Sequence, residues 1–323
     1  MNARTLTAAS LATAFAAVLP ARAVDSQLLN LVMPDAVVVA GANVAQAKTS
    51  QFGQYVLQQI QSTNDPGLQK LIAATGFDPT QDVSETLAAS NGTAKTGLLL
   101  ARGTFDAAKF AAAASADHAV LETYGGVTII EDPNKHGGLA FPSATIAVAG
   151  DLADVKAALD RVAAPSSLPA ALVVQINQWS GTQDAWAIST VPLSTFHQQA
   201  AAKRAVANGP AAATIPGLNG QGVFQAIQSA AGGVKFGTND VITGQAQADN
   251  AQDAQSMGDA LKLLASLAQM QASKEPAVAA VAQSLQVSTS GTTLNVTVSI
   301  AETTLEQVIH TNGTGAHKPL HQM

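Results

Sequence analysis

The clearest candidate for a metal site is a short segment with ligand-type side chains at alternate positions. Asp132, Asn134 and His136 have the spacing of the first ligands of a calcium-binding loop. Pro133 stiffens this segment, however, and Ser143 stands where such a loop needs a bidentate glutamate. We therefore predict a solvated hairpin loop and assign no metal ligand to it.

Histidines are concentrated near the carboxyl end, where His310, His317 and His321 are half of the six in the chain. The i, i+4 spacing of the last two would let their imidazoles share a metal ion on a helix. Pro319 lies between them and glycines precede them, so a helix is not expected there. We predict that residues 311–323 form a disordered tail without a metal site.

Motifs for catalysis or cofactor binding are missing from the sequence. It holds no G-x-S-x-G, no H-E-x-x-H and no paired-cysteine pattern. The glycine-rich segment Gly217–Gly222 lacks the glycine spacing and the Lys-Ser/Thr ending of a phosphate loop. Spacing alone leaves open a triad built from distant residues such as His118 or His197. We assign no catalytic, metal-binding or cofactor-binding residue, expect no cofactor, and favour a role without enzymatic activity.

Composition excludes some classes of partner. The 323-residue chain has 66 alanines and no cysteine, so its core must be built with small side chains and without disulfides. Its formal charge of -6 lacks the basic surface that nucleic acid requires. Aromatic residues make up only 4% of the chain, which disfavours the stacking platforms used to bind sugars or single-stranded nucleic acid.

The amino end has the pattern of a secretory signal peptide. Arg4 precedes the apolar stretch Leu11–Leu19, and Ala21-Arg22-Ala23 fits a small-x-small cleavage site. We expect residues 1–23 to be removed after Ala23, giving a mature chain that begins at Val24 in the periplasm or outside the cell. The junction has no cysteine for a lipid anchor, and no later segment reaches the roughly 18 apolar residues of a membrane span.

The mature sequence alternates strand and helix patterns. A short apolar strand is expected at Ala36–Gly41, followed by a helix that Ser50 can cap. Val83–Ser90 and Thr96–Arg102 have the character of a hairpin, and Asp151 favours the start of an amphipathic helix. These patterns predict an α+β protein with antiparallel sheets.

The second half of the chain repeats this order. Asp184-Ala185-Trp186 enters a strand as Asp35-Ala36-Val37 does, at an offset of 149, and two further matches follow at offsets of 144 and 150. We infer an internal duplication into two similar lobes, 24–165 and 166–310, each an antiparallel sheet with helices packed on one face. A long helix over Ala251–Gln271 distinguishes the second lobe.

Several segments together resemble a group of uncharacterised secreted proteins of the acidobacterial type. The similarity rests on six segments covering most of the mature chain: PDAVVVAGANVAQAKTSQFGQYV, TGFDP, LLLARGTFD, ATIAVAGDLADVKAAL, SGTQDAW and GGVKFGTNDV. The resemblance implies export from a bacterial cell and brings no activity or catalytic residue.

The sequence therefore favours an exported cell-envelope protein that binds or scaffolds another macromolecule or a peptide. No nucleic acid and no membrane span are expected, and the oligomeric state stays open. Two alternatives remain: a hydrolase with a site built at the lobe interface, and a small-molecule binding protein with a cleft between the lobes.

Overall fold

We describe the computed structural model over residues 24–62, 66–93, 97–132, 136–165, 167–192, 226–270, 276–301 and 304. The predictions for the signal peptide, the glycine-rich segment Gly217–Gly222, His197 and the tail 311–323 lie outside these residues.

The described strands join into one sheet in which every pair of neighbours is antiparallel. They are β1 (Val38–Ala42), β2 (Val83–Ser90), β3 (Leu98–Gly103), β4 (Val120–Tyr124), β5 (Val127–Asp132), β6 (Gly137–Ser143), β7 (Ile146–Asp151), β8 (Ala185–Ser189), β9 (Ile227–Lys235), β10 (Asn239–Ala248), β11 (Gln286–Ser290) and β12 (Thr293–Ala301). Their order across the sheet is β11-β12-β10-β9-β8-β1-β2-β3-β7-β6-β5-β4.

Ten helices lie within the described residues. They are α1 (Ser26–Leu29), α2 (Val44–Ala47), α3 (Gln51–Ser62), α4 (Pro66–Thr75), α5 (Pro79–Asp82), α6 (Ala107–Ala116), α7 (Leu152–Ala163), α8 (Ala170–Thr182), α9 (Ala251–Met270) and α10 (Pro276–Ser284).

The predicted fold class, α+β with an antiparallel sheet, is confirmed. Strands from both halves of the sequence form a single continuous sheet, because β1 of the first half pairs with β8 of the second. The internal duplication is not confirmed by this arrangement and stays a prediction.

Helices cover both faces of the sheet, and in this respect the prediction of helices on one face was wrong. Helices α1, α7 and α8 contribute to the large core on one face, which we call the packed face. Helix α3 lies against the other face, which we call the alanine face, with Phe52 beside Ile300 of β12. The reason is that the strands carry apolar side chains on both sides, so each face must be shielded from water.

Local sequence explains where these helices begin. The Asn43 side chain accepts a hydrogen bond from the Gln46 amide at the start of α2, at 2.9 Å. Ser50 caps α3 as predicted, since its Oγ accepts from the Gly53 amide at 2.9 Å. Asp151 accepts from the Ala153 amide at the start of α7. Side-chain caps of this kind satisfy backbone donors that a helix leaves open at its amino end.

Both tryptophans belong to the packed face. Trp186 of β8 is 6% exposed, and Trp179 of α8 is equally buried in the same core cluster. A Cβ atom at Gly41 of β1 would lie 2.6 Å from the Trp186 ring. Glycine at this position therefore lets the indole lie directly against the sheet.

Candidate functional site

An apolar cavity of about 470 Å³ lies between the alanine face and the helices above it. Its floor comes from small side chains on the central strands, namely Ala42, Ala101, Ala147, Ala149 and Ala185. Side chains alternate between faces along a strand, so the neighbours of these alanines point into the packed face. The cavity exists because alanine fills the positions at which a larger side chain would reach the helices.

Leu99 shows how incompletely the described residues cover this face. It lies on β3, between β2 and β7 near the middle of the sheet, yet it is 51% exposed. Its neighbours on the same strand, Leu98 and Leu100, are 2% and 0% exposed on the packed face. A half-exposed leucine at the centre of a sheet marks a surface that can gain free energy by contact with an apolar partner.

Helices α2, α3, α5 and α6 contribute residues to the walls of the cavity. A Cβ atom at Gly53 would lie 2.1 Å from the Ala47 carbonyl oxygen, so glycine lets α3 pack tightly on α2. Asp78 caps α5 by accepting from the Thr80 amide at 2.9 Å, with Pro79 at the first turn. The Lys48 ammonium group donates to the Gln81 and Val83 carbonyl oxygens, which ties α2 to α5 and β2.

Aromatic side chains form one wall. Phe77, Phe105, Phe110 and Phe141 all line the cavity. Their ring centroids are 4.7 to 5.8 Å apart in the four neighbouring pairs, the separation expected for favourable aromatic contacts. This cluster gives the cavity a well-packed side that faces the small alanine floor.

The described lining carries little polarity and no ionisable side chain. Its polar residues are Asn43, Thr80 and Thr86. The Asn43 side-chain oxygen Oδ1 already accepts a hydrogen bond from the Gln46 amide, and the Thr80 hydroxyl donates to Asp78 at 2.7 Å. Such a lining can hold apolar matter and offers no group for proton transfer or nucleophilic attack among the described residues.

The segment Asp132–His136, which has the spacing of a calcium-binding loop, does not bring ligand side chains together in the described residues. Asp132 ends β5, His136 is exposed with a φ of 55°, and Asn134 lies outside the described residues. His118 is likewise exposed, at the turn after α6. In the described part of the chain, no three His, Cys, Asp or Glu side chains come together to hold a metal ion. The histidines near the carboxyl end lie outside it.

Sequence reasoning missed the cavity, although a signal for it was present. The segments IAVAG and AWAIS alternate alanine with large apolar residues, at 146–150 and 185–189. Read as strands with period two, they place Ile146, Val148, Trp186 and Ile188 on one face and only small residues, four alanines and Ser189, on the other. This pattern predicts a sheet with one closely packed face and one face with room for a ligand.

The described chain also contains no helix with both the length and the apolar character needed to cross a bilayer. No protein-family model matches this chain, and neither does any curated protein.

Among solved structures, the chain is similar to crystal forms of TP0453. Form III has a TM-score of 0.56 at 15% sequence identity, covering 88% of this chain and 97% of that chain. Form IV has a TM-score of 0.50 at 13% identity, covering 87% and 95% of the two chains. At this identity the likeness shows a shared fold and carries no statement about function.

Proposed function

We propose that this protein is an exported binding protein that holds an apolar small molecule with a long hydrocarbon chain in the cavity over the alanine face. The observation that carries the proposal is the cavity itself, about 470 Å³ with no ionisable side chain in its described lining. Ligand pockets commonly enclose roughly 300–1,000 Å³. Half-exposed Leu99 then acts as part of a binding surface.

This proposal selects the small-molecule alternative among the three functions that the sequence left open. A hydrolase would need a nucleophile and a base within hydrogen-bond reach of the substrate. The described lining provides only Asn43, Thr80 and Thr86 as polar residues. Burial of hydrocarbon is favourable by about 25 cal/mol per Å² and needs no directional partner, which suits the alanine floor and the phenylalanine wall.

A second candidate function has support at the edge of the sheet. Strand β4 is an edge strand, and its Val120 and Leu121 are 47% and 40% exposed. An extended peptide could add to such an edge through backbone hydrogen bonds, as the macromolecule-binding hypothesis requires. Capture of a peptide by the protein, lost on Leu121→Lys but kept on Ala149→Leu, would support this candidate.

Export is part of the proposal and rests on the signal-peptide pattern that ends at Ala23. Amino-terminal sequencing of material from the culture medium or periplasm should begin at Val24. A cytoplasmic product that retains Met1 would contradict export.

Displacement of a fluorescent hydrophobic probe tests the binding function. Dodecyl ligands should displace the probe from the wild-type protein, and Ala149→Leu should weaken binding about tenfold or more, since the added side chain fills the floor opposite Leu99. Ala187→Leu is the matched control, because Ala187 is exposed on β8 and does not line the cavity. Equal binding by the wild type and both variants would contradict the assignment of the site.

A further inference from the structure

A second cavity, of about 200 Å³ and polar, adjoins the apolar one at the end of β1. Ala42 and Asn43 line both cavities. Trp186, which belongs to the packed face, lines only the second. The polar cavity therefore lies at the margin of the sheet, where the end of β1 meets the beginnings of β2 and β8.

Two buried polar atoms beside this cavity have no hydrogen-bond partner among the described residues: Ser180 Oγ and Gln183 Oε1. Both residues line the cavity, and Ser180 is only 9% exposed. Leaving a buried donor or acceptor unsatisfied costs about 1–3 kcal/mol, so such atoms usually have a partner. Both atoms belong to side chains with rotatable bonds, and a hydroxyl group entering the cavity could bond with either one.

The charges of the residues that line the polar cavity determine which kind of head group it can bind. Its described lining includes the carboxylates of Asp25, Glu85 and Asp184 and no lysine or arginine. Asp25 is already paired with Arg102, and Asp184 accepts from Lys235 at 2.8 Å. In the mature chain that we propose, the α-ammonium group of Val24 also belongs to this lining and adds a positive charge to it. The charges around the cavity then largely balance, so neither an anionic nor a cationic head group gains a net attraction, and an uncharged polar group fits best.

We propose that the two cavities together bind one amphiphile, with its hydrocarbon chain over the alanine floor and an uncharged, hydroxyl-bearing head group in the polar cavity. This inference rests on the proposed function, because it needs the chain to occupy the apolar cavity. It adds the class of ligand: a neutral hydroxylated lipid, such as a monoacylglycerol, is preferred over a fatty acid or an alkylammonium ion.

The test compares three ligands that share a dodecyl-length chain and differ in the head group: monododecanoylglycerol, dodecanoate and dodecyltrimethylammonium. Each is titrated below its micelle concentration against protein loaded with the hydrophobic probe. We expect the glycerol ester to bind about tenfold more tightly than either charged ligand. In a Trp179→Phe protein, which keeps Trp186 as the reporter, only the glycerol ester should change the tryptophan emission markedly.

Ser180→Ala isolates the contribution of the polar cavity, because it removes the buried hydroxyl without adding volume. We expect it to lower the affinity for the glycerol ester toward that of the charged ligands and to leave dodecanoate binding unchanged. Ala149→Leu should lower the affinity for all three ligands by the same factor. Equal affinities for the three head groups, or tighter binding of dodecanoate, would overturn this inference and leave the proposed function standing. Failure of all three ligands to displace the probe would overturn the proposed function itself and this inference with it.

Discussion

The two faces of the central sheet are built from the same strands and differ in what they bury. On the packed face, Leu87, Leu100, Ile129 and Val148 are fully buried beneath α1, α7 and α8. On the alanine face the central strands present alanines beside the half-exposed Leu99, and the covering helices leave a cavity of about 470 Å³. Protein interiors are normally packed as densely as organic crystals. The packed face therefore stabilises the fold, and we infer that the alanine face is packed less densely because it binds a ligand.

The largest expected difference between the faces lies in two adjacent leucines of β3. Leu100→Ala should cost about 2–5 kcal/mol, because it removes a fully buried side chain and leaves a void. Leu99→Ala should cost about 1 kcal/mol or less, since Leu99 is already half exposed. Urea denaturation of the two variants measures the free energies of unfolding. Similar losses would show that the alanine face is as well packed as the other.

Replacing an alanine with leucine should also show that the packed face is filled and the alanine face is not. Ala140 is fully buried on the packed face, so Ala140→Leu should cost about 2–3 kcal/mol through overpacking. Ala149→Leu places the same side chain into the cavity and should be close to neutral. Thermal unfolding without ligand compares the two. A strongly destabilised Ala149→Leu protein would mean that the cavity closes in solution.

Two glycine-to-alanine substitutions, one on each face, compare the packing of the faces by adding a single methyl group. Gly41→Ala should cost about 1–2 kcal/mol, because the new Cβ would lie 2.6 Å from the rigid Trp186 ring. A Cβ atom at Gly244 of β10 would have no atom of the described chain within 4 Å, so Gly244→Ala should be neutral or slightly stabilising. The denaturation midpoints of the two variants give the comparison. Equal effects would argue against close packing of the indole on β1.

The smallest expected effect is a pH dependence on the packed side. Burial raises the pKa of Asp154 on α7, despite the hydrogen bond that its carboxylate accepts from the Gly97 amide at 3.1 Å. A carboxyl group whose pKa is raised on folding favours the folded state when protonated. Stability therefore falls as the pH rises from the unfolded pKa, about 3.9, through the folded value.

Asp154→Asn should remove this contribution and make the protein slightly more stable at neutral pH, since the amide oxygen can still accept from Gly97. The measurement is the difference in unfolding free energy between variant and wild type from pH 3 to pH 7. A difference that shrinks as the pH rises would contradict the sign of the shift.

Local elements were predictable from the sequence because their signals are local. The expected hairpin Val83–Ser90 with Thr96–Arg102 is present as β2 paired with β3. The long helix expected over Ala251–Gln271 is present as α9, Ala251–Met270, and Gln271 lies outside the described residues. The caps at Ser50 and Asp151 also form as expected. Each of these features depends on residues close together in the chain.

The joining of both halves into one sheet and the cavity were not predicted, because both depend on contacts between distant segments. Val39 of β1 pairs with Ile188 of β8, and no local pattern specifies that pairing. The alternation of alanine with large apolar residues was visible, but alanine counts as apolar in any hydrophobic pattern. The cavity arises because the alanine side chain is small and the helices lie above it, and a hydrophobic pattern does not contain that information.

Binding of a hydrocarbon chain over the alanine face can be tested with a crystal structure of the protein grown with a dodecyl alcohol that carries a terminal bromine. Anomalous scattering locates the bromine without assumptions about the ligand's conformation. We expect one strong bromine peak over the alanine face, among Leu99, Ala149 and the phenylalanine wall, and its loss in Ala149→Leu crystals. A cavity that stays free of bromine while peaks lie only on the outer surface would contradict this proposal.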